Sequence, residues 1–166
     1  MIEKDFEDDL RSLASATGVS QTSFESGHSR WDLYSRVISS GGALESLLAL
    51  IRREPDESIA TSVVLKCLEI APEVSRGDFV DALPAGNNHE LAKGRMRDLA
   101  ILEKIVSGED PSFNKDFEPK NWSHWLQLRA AKATASRRVL EFLSSSGSTR
   151  RIRHEARMSL NSLGCS

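Results

Sequence analysis

Two stretches of this chain superimpose without a gap. Ala43–Pro72 reads ALESLLALIRREPDESIATSVVLKCLEIAP, and Ala135–Gly164 reads ASRRVLEFLSSSGSTRRIRHEARMSLNSLG, at an offset of 92 residues. Their apolar positions coincide. Leu47 falls on Val139, Leu48 on Leu140, Leu50 on Phe142 and Ile51 on Leu143. Ala60 falls on Ile152, Val64 on Ala156, Leu68 on Leu160 and Ala71 on Leu163. Within each stretch the apolar residues recur at three and four, a helical period, on either side of a turn. A single helix pair of this size cannot bury its apolar face. It folds only when neighbouring elements stack on it.

The same period runs through most of the chain, and alternation of the strand type is nearly absent, so an all-α fold of about seven to nine helices is expected. Residues 2–15 place Ile2, Phe6, Leu10 and Leu13 on one stripe, and Gly18 ends that helix. A Ser-, Thr- and Gly-rich loop over 18–29 follows, with Ser29 expected to cap a helix running to Ser39. Gly41-Gly42 stops it. Residues 43–107 hold two helix pairs. The first is 43–53 and 57–71, joined by the turn Glu54-Pro55-Asp56. The second, 32 residues on, sets Phe79, Val80, Ala82 and Leu83 where Leu47, Leu48, Leu50 and Ile51 stood, and continues in a helix over 89–107 that Arg95 and Arg97 interrupt. Residues 108–121, GEDPSFNKDFEPKN, break the rhythm with two prolines. From Trp122 helix resumes, with a break expected at Thr134–Ser136, a turn at Ser144–Ser148 and a last helix over 149–163. A chain of 166 residues is expected to form one domain, with 1–42 as N-terminal helices, 43–107 as two repeats, 108–121 as an irregular insertion and 122–164 as the C-terminal helices.

An antiparallel helix pair of about thirty residues with these spacings resembles the HEAT-repeat family of α-solenoids. The second helix of such repeats carries an Arg shortly before a small residue, then Leu and Leu-Gly. Arg153, Ala156, Leu160, Leu163 and Gly164 match that pattern. Ala43–Pro72 departs from it at Thr61, which stands where the Arg would be, and the middle unit matches loosely. The resemblance covers about ninety residues and implies a short solenoid of stacked antiparallel helix pairs. Its signature is mostly hydrophobic spacing, so it implies a fold and leaves the function open. Some HEAT-like proteins are DNA-base glycosylases that use Trp and Asp. Trp122, Trp125 and Asp116 are the residues here that would have to serve.

The net charge of −2 conceals an asymmetry. Residues 1–28 carry −4, residues 29–120 carry −4, and residues 121–166 carry +6. A basic end on an acidic body suits an acidic partner or a polyanion. On the last helix, about 100° per residue from Ile152 keeps Ala156, Leu160 and Leu163 within about 80°. Arg150, Arg153, His154 and Arg157 fall on the opposite side, which makes a cationic stripe. The second candidate is the aromatic segment Phe113, Phe117, Trp122 and Trp125, with Arg129 and Lys132 on the following turns, since Trp and Arg dominate interface hot spots. Each feature also has a plainer explanation, a solvated capping helix and a loop packed across its neighbours.

No sequence signature supports catalysis. His28, His89, His124 and His154 are scattered, and none stands at metal-ligand spacing from Cys, Asp or another His. No metal, no cofactor and no catalytic residue is expected. No run approaches the roughly 18 apolar residues of a membrane span. The acidic N-terminus lacks a signal-peptide pattern, and Cys67 and Cys165 suit a reducing, cytoplasmic home. The expectation is a protein-binding module of the scaffold, adaptor or immunity-protein kind, using Phe117, Trp122, Trp125, Arg129, Arg150, Arg153 and Arg157. Nucleic-acid binding through the basic stripe is the alternative, and base excision a remoter one.

Overall fold

The computed structural model describes residues 3–20, 23–108 and 118–164. Among them stand nine α-helices, short 3-10 turns and no strand. Contacts divide the chain into two compact units, residues 1–96 and 97–166.

The first unit begins with α1 (Lys4–Ala16), which buries Phe6, Leu10, Leu13 and Ala14. Helix α2 (Gly27–Ser40) starts earlier than its sequence suggests. The cap is Ser26, not Ser29: Ser26 is extended, and its hydroxyl accepts from the Ser29 backbone N–H at 3.1 Å. Gly27 and His28 are thereby the first helical residues. Gly41 ends the helix in the left-handed region, φ 68°, where a side chain would be strained. Then come α3 (Leu44–Ile51) and α4 (Glu57–Ile70). Asp56 caps α4, its carboxylate accepting from Ser58 N at 2.9 Å and Ile59 N at 3.2 Å. Beyond α4 lie a 3-10 turn (Glu73–Ser75), the five-residue α5 (Arg76–Val80) and α6 (Asn87–Val106). The second repeat's first helix is thus eroded to little more than one turn. Helix α3 packs on α1 and α2, while α4 packs on α2, α3 and α5. Contacts between each helix and the next but one are those that stacked helix pairs make.

One polar cluster sits inside this unit. Arg30, only 4% exposed, lies on the same stripe of α2 as Leu33, Tyr34 and Val37. Its guanidinium donates to both carboxylate oxygens of Glu54, at 2.8–3.0 Å, and to the carbonyls of Phe24 and Glu25, each at 3.0 Å. The Tyr34 hydroxyl donates to Glu54 Oε2 at 2.8 Å, and Asp56 N donates to Oε1 at 3.1 Å. The network therefore ties the loop before α2 and the turn between α3 and α4 to the body of α2. Hydrogen bonding to Glu54 holds Arg30 more firmly protonated than usual. Burial, then the Glu54 charge, pushes the Tyr34 phenol well above its ordinary value.

The second unit holds the end of α6, a 3-10 turn (Pro119–Asn121), α7 (His124–Ala133), α8 (Arg137–Ser146) and α9 (Arg150–Gly164). Its core joins Ile105, Trp122, Leu126, Ala130, Val139, Leu140, Leu143, Ile152 and Ala156. The break between α7 and α8 falls at Thr134–Ser136, where Thr134 Oγ1 accepts from Ser136 N at 3.0 Å. Buried Gln127 plays the part that Arg30 and Glu54 play in the first unit. It donates to the carbonyls of Pro119 and Trp122 and accepts from Ser148 N. Gly147 has no room for a side chain, since a Cβ there would lie 2.5 Å from the Leu143 carbonyl oxygen.

The helix boundaries of the two stretches recur in the structure. Taken back by the 92-residue offset, α8 and α9 begin one residue after α3 and α4. Leu47 and Val139, Ile51 and Leu143, Ala60 and Ile152, and Val64 and Ala156 are all buried. The copies differ within the first helix, where Leu48 is half-buried against a buried Leu140 and Leu50 is buried against a half-buried Phe142, and again towards their ends. Leu68 and Ala71 are buried, whereas Leu160 is half-buried and Leu163 is 39% exposed. The physical reason is cover, because α9 packs chiefly on α7 and α8 while α4 has a third neighbour in α5.

Removing one member of the buried ion pair leaves the other charge uncompensated, so Glu54→Ala is expected to cost about 3–5 kcal/mol of unfolding free energy. Tyr34→Phe, which removes a single hydrogen bond, is expected to cost about 0.5–2 kcal/mol. Urea titrations followed by circular dichroism check both, and equal small losses would show that the cluster is not the anchor of this unit.

Candidate interaction surface

Helix α9 carries its charge on one side. Thr149 starts it, its hydroxyl accepting from Ile152 N at 3.2 Å. Ile152 and Ala156 are its buried residues, on the stripe that meets α7 and α8. Two polar links hold it against α7. Ser159 donates to the Ala131 carbonyl at 2.7 Å, and Glu155 faces Lys132 at 3.7 Å. The opposite side is exposed and presents Arg150, His154 and Arg157, with Arg151 and Met158 beside them.

The arginines of this face differ from several others in their surroundings. Arg11, Arg30, Arg53, Arg95 and Arg137 each face a carboxylate. Arg76 is buried and donates to the Leu68 carbonyl at 3.0 Å. Among the described residues Arg150, Arg151 and Arg157 have no carboxylate partner, and Arg36 on α2, Arg52 after α3 and Arg138 on α8 share that condition. Three of the four arginines of α9 also lie in its first four residues, and no acid offsets them there. A helix N-terminus carries partial positive charge, so each cation there is disfavoured by about 0.3–1 kcal/mol at an exposed end.

Arg153 behaves otherwise. Its guanidinium turns back to the Gly147 carbonyl, and its side chain is half-buried. The same arrangement occurs in the first unit, where Arg30 reaches the Phe24 carbonyl six residues behind it. Each arginine is the fourth residue of its helix, and each fastens the loop that leads in. Arg153 is therefore a structural residue first.

The aromatic candidates separate as well. Trp122 is 5% exposed and belongs to the core of the second unit, so it has no free face to offer a partner. The expected helix from Trp122 in fact starts at His124, because Ser123 caps it, accepting from Leu126 N at 3.1 Å and donating to Asp98 at 2.6 Å. Trp125 is half-buried against the same core, with the Arg129 guanidinium 5.3 Å from its ring centre. Arg129 itself is exposed. Phe113, Asp116, Phe117 and Cys165 lie outside the described residues.

Three residues that matter here escape the sequence pattern. Arg138 and Arg151 sit off the stripe opposite Ile152, yet both are exposed and without a carboxylate partner. Arg30 had a visible signal, a cation spaced three, four and seven residues from Leu33, Tyr34 and Val37. Cys67 is a buried free thiol whose pKa burial pushes up to about 12, so it stays protonated and inert at neutral pH. Among the described residues no group of His, Cys, Asp and Glu could hold a metal ion.

If these roles are right, Arg153→Ala costs about 1.5–3 kcal/mol, the range for hydrogen bonds to charged groups. Arg150→Ala and Arg157→Ala stay within about 0.5 kcal/mol, as exposed surface changes do. Thermal unfolding of the three variants makes the comparison, and a similar loss for all three would count against the division. No protein-family model matches the chain, and neither a curated protein nor a solved structure is similar to it.

Proposed function

We propose that this chain is a non-enzymatic protein–protein interaction module, a HEAT-like helical-repeat scaffold, adaptor or immunity-type regulator, that binds an acidic partner. The observation carrying the reading is the outward face of α9, where three exposed arginines, Arg150, Arg151 and Arg157, stand together on one helix without a carboxylate partner. Arginine forks suit carboxylates through bidentate hydrogen bonds, and an acidic partner would offset the repulsion at the start of the helix. Trp125 with Arg129 adds an aromatic and cationic pair of the kind that anchors interfaces. Phe117 stays with this reading as part of the aromatic insertion. Trp122 supports it only from below, by packing under α7. A reducing, cytoplasmic setting goes with the free thiol of Cys67.

The same arginines favour a second reading, binding to the phosphate backbone of nucleic acid. It ranks lower because residues 1–120 carry −8 and the isoelectric point is near 6.1, so most of the chain repels a polyanion. Filter binding across a salt series separates the two. Phosphate binding requires log affinity to fall linearly with log salt.

The protein reading is tested by pull-down with the wild type and with Arg150→Glu/Arg157→Glu. Reversing two charges in the contact is expected to reduce recovery of the partner by at least about tenfold, since like charges brought together cost several kcal/mol. Equal recovery by both proteins removes α9 from the interface.

A further inference from the structure

The outward face of α1 is the electrostatic counterpart of α9. From Leu10, a turn of about 100° per residue places Phe6, Leu13 and Ala14 within about 60° on the buried side. Asp5, Asp8 and Asp9 fall on the far side, and all three are exposed. Arg11 and Arg53 answer this face in part. Arg11 lies 2.7 Å from Glu7 and 3.5 Å from Asp8, and Arg53 pairs with Asp9. Asp5 has no such partner among the described residues. The acids stand at i, i+3 and i+4, about one helical turn, and Arg150, His154 and Arg157 stand at i, i+4 and i+7, about two.

We propose that the occupant of the α9 face is a second copy of this chain, with Asp5, Asp8 and Asp9 of one copy docked on Arg150, His154 and Arg157 of the next. The two patches are different, so each contact joins the acidic face of one copy to the basic face of another. Two reciprocal contacts close a pair, and a single contact leaves one acidic and one basic face free for a further copy. Both faces are exposed and charged, so the contact is weak and is screened by salt. This goes beyond partner binding, because it needs no other protein and can be read on the purified chain.

The experiment is sedimentation velocity on the full-length chain over a concentration series, at low and at high salt. The wild-type mean mass is expected to rise with concentration, by at least about twofold at low salt, and to fall to that of the monomer near about 0.5 M salt. Two charge-reversed variants follow, Asp5→Lys/Asp8→Lys and Arg150→Glu/Arg157→Glu. Each alone is expected to stay monomeric, since it sets like charge against like. An equimolar mixture is expected to associate again, since the reversed faces complement each other, and that recovery also shows that both variants fold. The proposal is overturned by a wild type that stays monomeric at every concentration, by association that survives in either variant, or by a mixture that fails to associate. Partner recovery in the pull-down with no self-association would leave the interaction reading standing and remove this one. Self-association without partner recovery would do the reverse.

Discussion

No helix pair in this chain can bury its own apolar stripe, and the rest of the structure answers that constraint. Fully burying one leucine contributes about 1.5–3 kcal/mol, a gain that α3 alone, with Leu47, Leu50 and Ile51 buried, collects only because α1, α2 and α4 cover it. Stacking helices in this way brings loops and turns into the interior, and their backbone groups then need partners. Two side-chain devices supply them. In the first unit the Arg30–Glu54 pair takes up the carbonyls of Phe24 and Glu25 and the amide of Asp56. In the second, Gln127 takes up the carbonyls of Pro119 and Trp122 and the amide of Ser148. A charged pair and a neutral amide thus solve the same problem, joining the start of one helix to the turn between two others.

Cover also explains why the two copies of the repeat look unlike in sequence. Helix α4 is packed by α2, α3 and α5, and its apolar residues spread over a wide sector. Helix α9 is packed chiefly by α7 and α8, buries only Ile152 and Ala156, and is free to carry arginines elsewhere. The same stacking register therefore tolerates a wide apolar stripe at one position and a narrow one at the other.

Much of this is legible in the sequence, and the limits have physical causes. The turn Glu54-Pro55-Asp56 and the break at Thr134–Ser136 announce themselves through residues that cannot easily continue a helix. The cap of α2 does not, because Ser26 and Ser29 are equally good capping residues and only the backbone conformation decides between them. The candidate site was half visible. Periodicity finds which side of α9 faces away from the core, and so finds Arg150 and Arg157. Periodicity is blind to what a long side chain does next, so it groups Arg153 with them, although that guanidinium folds back on Gly147. It is equally blind to tertiary packing. Trp122 lies next to an irregular segment and looks available, yet it is 5% exposed and belongs to the same core as Leu126, Leu140 and Ile152.

The placement of charge on α9 runs against the preference of the helix itself. Cations are favoured at a helix C-terminus and acids at the N-terminus, and α1 follows that rule with Asp5 and Glu7 in its first turn. Helix α9 reverses it, with Arg150, Arg151 and Arg153 at its start and no basic residue in its last turn. For Arg153 the compensation lies within the fold, in the bond to the Gly147 carbonyl. Arg150 and Arg151 have no comparable bond among the described residues, so the fold does not account for their position. A feature that works against the stability of its own helix, on the face left uncovered by α7 and α8, is what the proposed docking of negative charge would offset.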